Sequence, residues 1–202
     1  MNALIVIDVQ NDFCPGGALE VPDGDAVVGP CNQLMARFDH VILTQDWHPS
    51  GHASFASRHA RAPYETVELA YGTQVLWPDH CVQGTSGAAF HSDLDTQRAT
   101  LTIRKGHRVG IDSYSGFFEN DRTTPTGLAG ALRDLGVRRI YLAGLATDFC
   151  VQYTALDGRA AGFEVAVVED AVRGIDLKGS LAAAWQAMES ADVARVTSEE
   201  LR

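Results

Sequence analysis

Short apolar runs alternate with helical segments along this chain, and this alternation limits its possible folds more than any other feature. The strand-like runs lie at residues 3–7, 41–44, 100–104, 140–143, 163–168 and 192–196. Segments with helical spacing lie between them, at about 25–38, 125–135, 147–161 and 177–190. Strands that alternate with helices are typical of a parallel sheet. The sequence therefore predicts an α/β, doubly wound (Rossmann-like), mostly parallel sheet of about six strands with helices on both faces.

One stretch, at about 45–99, interrupts this alternation. It shows little regular periodicity and is rich in Pro, Gly, Ser and His. Connections this long within a compact domain are usually functional or disordered, and the aromatic residues of the stretch argue against disorder. We expect an ordered active-site excursion with short helices, within a single domain that spans residues 1–202.

The charge and the cysteines exclude several functions. The chain has 16 Lys and Arg against 26 Asp and Glu, a formal charge of −10, which argues against nucleic-acid or anionic-membrane binding. Its four cysteines form no Cys-x-x-Cys pair, so neither a zinc knuckle nor a disulfide framework is predicted. The start does not resemble a signal peptide, and no apolar run approaches the roughly 18 residues of a membrane span. We expect a cytoplasmic protein with reduced thiols.

Cys150 lies just after the predicted strand 140–143, where Gly144 breaks the strand. Thr147 and Asp148 are candidate N-caps, so Cys150 is predicted in the first turn of a helix. The unpaired N–H groups and the helix dipole there favour a thiolate, and could hold a developing oxyanion. The alternative is a small apolar residue that packs the helix against the sheet.

Reactive side chains follow four of the predicted strands. Asp8 follows the first, Asp46 and His48 the second, Lys105 the third and Cys150 the fourth. The carboxyl ends of parallel strands lie along one edge of a sheet, so these residues can share a crevice. An acid, an amine and a thiol together can perform covalent acyl transfer.

The Asp46-x-His48 pair offers oxygen and nitrogen ligands that one turn can direct at a metal ion. Two ligands are too few, and the following stretch provides further candidates, which are His52, His59, His80 and His91. A single loop histidine is more often a surface residue, but the set as a whole favours a metal. Neither a G-x-G-x-x-G dinucleotide motif nor a Walker sequence is present.

Six motifs follow one another along the chain: Ile7-Asp8-Val-Gln-Asn-Asp-Phe13, Asp46-Trp-His48-Pro, Trp77-Pro-Asp-His80-Cys-Val-Gln-Gly84, Arg104-Lys105-Gly, Asp112-Ser-Tyr114-Ser-Gly-Phe117 and Gly144-Leu-Ala-Thr-Asp-Phe-Cys150-Val. In this order, from residue 3 to about residue 174, the chain resembles the nicotinamidases (the pyrazinamidase/nicotinamidase group) of the isochorismatase-like hydrolase superfamily. The resemblance implies a catalytic triad of Asp8, Lys105 and Cys150. It also implies one divalent metal ion, most often zinc, iron or manganese, bound by Asp46, His48 and His80, with His52 as the reserve ligand.

The same resemblance implies the details of a substrate site. It places a cis peptide bond between Leu145 and Ala146, and an oxyanion hole formed by the N–H groups of Ala146 and Cys150. Phe13, Trp77 and Tyr114 would line a pocket for a pyridine ring.

The activity implied is hydrolysis of nicotinamide to nicotinic acid and ammonia through a thioester, in NAD salvage. The expected partner is a small-molecule substrate, with no nucleic acid and no membrane, and the expected assembly is a monomer or small homo-oligomer. Two alternatives remain: a related cysteine amidase acting on a carbamoyl or ureido compound, and a non-catalytic small-molecule binding protein.

Overall fold

The computed structural model describes residues 1–201, and within them eight strands and four α-helices. The strands are β1 Asn2–Ile7, β2 Val41–Asp46, β3 Thr66–Leu69, β4 Gly72–Val75, β5 Leu101–Lys105, β6 Arg139–Leu145, β7 Glu164–Arg173 and β8 Ala194–Val196. The α-helices are α1 Val28–Met35, α2 Leu128–Asp134, α3 Gln152–Ala160 and α4 Ser180–Ser190. In this part of the chain, no helix is both long and apolar enough to cross a membrane.

The main sheet has the strand order β5-β2-β1-β6-β7-β8, and every neighbouring pair in it is parallel. The chain adds β2 and β5 on one side of β1, and β7 and β8 on the opposite side of β6. The strand order therefore reverses direction between β1 and β6, the two central strands. In open α/β sheets, ligands bind outside the carboxyl ends of the strands at this switch point. The crevice that follows β1 and β6 is therefore the expected site.

Both faces of the sheet are covered. Alternate residues of β1 point to opposite faces and belong to different core clusters. Leu4 and Val6 belong to a core cluster that includes Leu34 of α1. Ile5 belongs to a second cluster, which includes Leu132 of α2 and residues of α3 and α4. The predicted doubly wound fold class is confirmed.

Several boundaries differ from the prediction. β7 continues through Glu169 and Asp170 to Arg173, although the charged pair predicted its end. Both side chains find partners: Glu169 pairs with Arg195 of the neighbouring strand β8, and Asp170 accepts the Ser198 N–H at 2.8 Å. The predicted helix at 25–38 is shorter, with a 3₁₀ turn Gly24–Val27 before α1.

The hairpin of β3 and β4 was not predicted, since only short helices were expected in the stretch 45–99. Its antiparallel strands are four residues each and are mostly exposed. Strands this short, with little buried surface, leave no clear period of two in the sequence. Short 3₁₀ turns, Ala56–His59 and Thr96–Arg98, do occur there.

Candidate active site

Two strand ends place a carboxylate beside an ammonium. Asp46, the last residue of β2, is the register partner of Lys105, the last residue of β5. Asp8 immediately follows β1, and its hydroxyl partner Thr44 lies on β2. Asp8 and Lys105 have no exposed surface, and Asp46 is 4% exposed. The sheet thus brings together residues that are far apart in the sequence, as predicted.

The Lys105 ammonium is at the centre of this group. Its Nζ lies 2.6 Å from Asp46 Oδ1 and 2.9 Å from Asp8 Oδ2. It also donates to the Ser113 carbonyl at 2.9 Å and lies 3.4 Å from Cys150 Sγ. Burial lowers the pKa of Lys105, but Asp46 and Asp8 raise it more, so the net pKa is well above the usual range. The two carboxylates therefore favour the charged form of Lys105.

Asp8 is placed to accept a proton from the thiol. Its Oδ1 accepts the Thr44 hydroxyl hydrogen at 2.6 Å, and a carboxylate oxygen lies within 4.8 Å of Cys150 Sγ. Burial raises the pKa of Asp8, Lys105 lowers it and Asp46 raises it again, with a net increase above the usual value. A carboxylate with a raised pKa is a better general base than an exposed one.

Cys150 lies in a π-helical turn, Thr147–Val151, that connects β6 to α3. The corner before it is tight: Gly144 has φ +108°, and a Cβ there would lie 2.1 Å from the Ile7 carbonyl oxygen. The Leu145–Ala146 peptide bond is cis, as the family resemblance implies. The backbone therefore turns directly from the switch point of the sheet into the turn that carries the thiol.

The predicted N-caps are wrong. Ala146 occupies the N-cap position, and no side chain caps this turn. The Asp148 carboxylate instead accepts hydrogen bonds from the Ile175 N–H at 2.9 Å, the Asp176 N–H at 2.8 Å and the Ser180 hydroxyl. Asp148 thus anchors the loop between β7 and α4, which contributes Ile175 to the site.

The expectation that the helix position favours a thiolate is also not met in the free protein. Burial raises the pKa of Cys150 most, Lys105 lowers it, and Asp8 and Asp46 raise it, so the net pKa is well above the ordinary thiol value. Removing the residue from water outweighs the helix dipole, which is worth at most ~2 kcal/mol. The resting residue is a thiol that needs a base to activate it.

Asp46, His48 and His80 form a buried cluster whose candidate ligand atoms all lie within 4.8 Å of one another. Asp46 Oδ2 is 3.6 Å from His48 Nε2 and 3.9 Å from His80 Nε2. Each imidazole Nδ1 lies against a backbone carbonyl, that of Gly106 at 2.9 Å for His48 and that of Pro78 at 2.8 Å for His80. A carbonyl only accepts hydrogen bonds, so each Nδ1 carries the hydrogen and each Nε2 presents a lone pair.

These residues fit a divalent cation. His48 Nε2 is buried and has no hydrogen-bond partner within residues 1–201. Asp8 and Asp46 share the single Lys105 ammonium, and a buried Asp112 carboxylate oxygen lies within 4.8 Å of a His48 ring nitrogen, which leaves an excess of negative charge. Buried charges are normally paired or bind metals, and two imidazoles with a carboxylate are a common ligand set for catalytic zinc.

His52 is less available as a ligand. Its Nε2 faces the Ile111 carbonyl at 3.0 Å, and its Nδ1 faces the Ser54 hydroxyl at 2.8 Å. Both ring nitrogens are therefore occupied, with Nε2 as donor and Nδ1 as acceptor. Its ring stacks on His48 with centroids 4.2 Å apart. In this arrangement His52 supports the His48 ring.

A largely apolar cavity with an empty volume of about 340 Å³ adjoins both groups. The predicted pocket residues Phe13, Trp77 and Tyr114 all line it. Its remaining lining residues are Leu19, Asp46, His80, Asp112, Ala146, Phe149, Cys150 and Ile175. One small cavity thus reaches the thiol and two of the candidate metal ligands.

Four of the lining residues were missed as site residues. Asp112 and Phe149 lie inside motifs that carry the family resemblance, so a signal for them was present. Leu19 and Ile175 are apolar loop residues with no local pattern that marks them. His59 and His91, in contrast, are absent from the cavity lining and from the Asp46 cluster.

Comparison with known proteins identifies the family of this chain. Residues 2–200 match the isochorismatase domain family. The nicotinamidase of Acinetobacter baylyi is 52% identical over 200 residues, covering 98% of this chain and 94% of that protein. A nicotinamidase/pyrazinamidase structure from Acinetobacter baumanii is 54% identical, with a TM-score of 0.98 over 100% of this chain and 98% of that one. The Pyrococcus horikoshii pyrazinamidase, in complex with zinc, is 39% identical, with a TM-score of 0.80 over 97% and 98%. The chain therefore belongs to the isochorismatase family, in its nicotinamidase group.

Proposed function

We propose that the protein is a metal-containing cysteine amidohydrolase that converts nicotinamide to nicotinic acid and ammonia through a thioester on Cys150. The observation that carries this proposal is the shared cavity, which adjoins the Cys150 thiol as well as Asp46 and His80. A flat aromatic amide can present its carboxamide to the thiol while its ring nitrogen faces the metal ligands. The names of the similar nicotinamidases support the same substrate.

Acylation begins with Asp8, which takes the proton from the Cys150 thiol. The sulfur then attacks the carboxamide carbon, and the carbonyl electron pair moves to the oxygen. The N–H groups of Ala146 and Cys150 would hold this oxyanion, each worth about 3–4 kcal/mol by analogy with other oxyanion holes. When the intermediate collapses, the C–N bond breaks, and the leaving nitrogen takes the proton from Asp8 to depart as ammonia.

Deacylation uses the same groups in reverse. Asp8 takes a proton from a water molecule, whose oxygen attacks the thioester carbon. The C–S bond then breaks, nicotinic acid forms, and Asp8 returns the proton to Cys150. Throughout, the Lys105 ammonium at 3.4 Å from the sulfur stabilises negative charge on it.

Asp46, His48 and His80 would hold one divalent ion, for which zinc is our first choice and iron or manganese the alternatives. When bound, that ion supplies a Lewis acid to which a pyridine nitrogen can coordinate, so that it orients the ring. The zinc complex of the Pyrococcus horikoshii pyrazinamidase supports this choice.

The proposal also covers the domain organisation, the compartment and the assembly of the enzyme. The single domain 1–202 carries an active-site excursion at about 45–99, which provides Trp77 and His80. We place the enzyme in the cytoplasm, in NAD salvage, as a monomer or small homo-oligomer. The four free, buried cysteines are consistent with a reducing compartment.

Benzamide provides the test, because it has a C–H where nicotinamide has its ring nitrogen. We expect ammonia release from nicotinamide to be much faster than from benzamide when the protein carries its metal. Equal rates for both amides would contradict the proposed role of the ring nitrogen. Faster release from an acyclic ureido compound than from nicotinamide would instead favour the related-amidase alternative.

A further inference from the structure

Gln74 is a buried polar residue in an otherwise exposed hairpin. It lies on β4 and is 1% exposed, while the other residues of β3 and β4 are exposed or half-buried. Burying a carboxamide costs free energy unless its hydrogen bonds are satisfied. The Gln74 carboxamide therefore needs hydrogen-bond partners within the protein.

The Gln74 carboxamide connects the hairpin to two cavity residues. Its Nε2 lies 2.6 Å from the Val75 carbonyl oxygen, 2.7 Å from Asp112 Oδ2 and 2.9 Å from the Tyr114 hydroxyl oxygen, so three acceptors surround its two hydrogens. Its Oε1 accepts from the Tyr71 hydroxyl at 3.0 Å and from Asn120 Nδ2 at 3.3 Å. These contacts on both ends fix the orientation of the amide, since a flipped amide would place Oε1 against the Asp112 carboxylate.

The Tyr114 hydroxyl receives a second donor, Nε1 of Trp77, at 3.1 Å. Gln74 Nε2 and Trp77 Nε1 are thus both directed at the phenolic oxygen, which can accept hydrogen bonds. The Tyr114 ring is thereby held edge-on to the Trp77 and Phe149 rings, with centroids 6.2 Å and 5.6 Å away. All three rings line the cavity beside Cys150.

Asp112 depends on Gln74 in a similar way. Its Oδ1 accepts the Ser113 N–H at 2.8 Å, and its Oδ2 accepts from Gln74 Nε2. Asp112 is 2% exposed and also lines the cavity. Loss of Gln74 would leave one oxygen of a buried carboxylate without this donor, a costly change that side chains or water would move to relieve.

We propose that Gln74 is a positioning residue for substrate binding, which sets the cavity wall formed by Tyr114, Trp77 and Asp112. This inference rests on the proposed function, because the wall is assigned to the nicotinamide ring. Gln74 touches neither Cys150, Asp8 nor Lys105, so it affects how the substrate is held rather than how the thiol reacts.

The test compares Gln74→Met with the matched control Thr73→Ala in the metal-loaded protein. Met keeps the length of Gln but lacks the amide donor. Thr73 is the exposed neighbour on β4, whose hydroxyl donates to Glu68 at 2.6 Å. We expect Gln74→Met to raise KM for nicotinamide about tenfold with kcat within about twofold, and Thr73→Ala to change neither.

A double-mutant cycle separates positioning from a general effect on folding. The KM increase caused by Gln74→Met should be smaller in a Tyr114→Phe background, because the hydrogen bond between Gln74 Nε2 and the Tyr114 hydroxyl is already missing there. Should Gln74→Met not fold, Tyr71→Phe removes a donor to Gln74 Oε1 and should raise KM in the same direction by a smaller factor. Any one of four results would overturn the inference. These are a wild-type KM in Gln74→Met, equal KM increases in both backgrounds, an equal KM increase in Thr73→Ala, or an unchanged KM in Tyr71→Phe.

A failure of the proposed function would give a different experimental result from a failure of the positioning role. If wild-type protein releases no ammonia from nicotinamide, that function fails, and the wall is then tested by the rate at which iodoacetamide alkylates Cys150. A loosened wall should raise this rate in Gln74→Met but not in Thr73→Ala. Equal rates in wild type and Gln74→Met would then contradict the positioning role as well.

Discussion

The ammonium of Lys105 lies 3.4 Å from the sulfur of Cys150, although the two residues are separated by 45 positions in the chain. Lys105 ends β5 and Cys150 lies in the turn after β6, and these two strands are not neighbours, because β2 and β1 lie between them. The Lys105 side chain reaches across the carboxyl ends of these two strands and contacts Asp46 and Asp8 on the way. One cation thus connects Asp46, a candidate metal ligand, to the thiol.

Replacing Lys105 should cost both stability and activity. In Lys105→Met, two buried carboxylates lose their shared cation, and breaking a buried ion pair typically costs about 3–5 kcal/mol. Urea unfolding measures this loss. Arg104→Met is the control on the same strand: Arg104 is exposed and stacks over Trp47 at 4.0 Å, so we expect a loss of about 1 kcal/mol or less. Equal losses in both variants would argue against the Lys105 network.

Asp8→Asn should remove activity while making the thiol easier to ionise. The base is lost, so turnover should fall by about 100-fold or more. The Asp8 carboxylate also raises the pKa of Cys150, after burial as the main cause, so its neutralisation should lower that pKa. The pH dependence of Cys150 alkylation should therefore shift to lower pH. An unchanged alkylation profile would speak against a direct charge interaction between Asp8 and the thiol.

Metal content should distinguish His80 from His52. His80 presents a free Nε2 to Asp46, whereas both nitrogens of His52 are occupied. His80→Ala should therefore lose metal, and His52→Ala should retain it. Chelation of the wild type should lower both activity and melting temperature, with added divalent metal restoring both, because a ligand of the folded state stabilises it. The ligand assignment would be wrong if His80→Ala kept a full equivalent and His52→Ala lost it.

Asp148→Ala should destabilise the loop between β7 and α4. The Asp148 carboxylate satisfies two backbone N–H groups and a hydroxyl of that loop, and Ile175 lines the cavity. We expect a loss of about 2–3 kcal/mol in urea unfolding, in the range for hydrogen bonds to a charged group. The exposed Asp39→Ala is the control, with a change of about 0.5 kcal/mol or less. Wild-type stability of Asp148→Ala would show that the loop is anchored by other contacts.

The sheet edge was predictable because strand ends are a local property of the sequence. Once the pattern indicates a parallel sheet, Asp8, Asp46, Lys105 and Cys150 must lie along one edge. The family resemblance supplied the pocket residues and the role of His80, since no periodicity indicates where a long loop returns.

What could not be predicted depends on contacts between distant segments. The role of Asp148 follows from the position of residues 175–180, not from its own N-cap pattern. The protonation of Cys150 follows from burial and from carboxylates on other strands, which outweigh the local helix dipole. The Gln74 network joins a hairpin without a sequence signal to the pocket wall.

The most direct test of the central claim is the amount of nicotinic acid and ammonia released from nicotinamide by wild type and by Cys150→Ala, at matched metal content. Alanine lacks the nucleophile but preserves most of the packing of this small, 7% exposed side chain. We predict equal amounts of the two products from the wild type and none above background from the folded, metal-loaded variant. If Cys150→Ala retained more than a few per cent of wild-type turnover, covalent catalysis by Cys150 would be wrong.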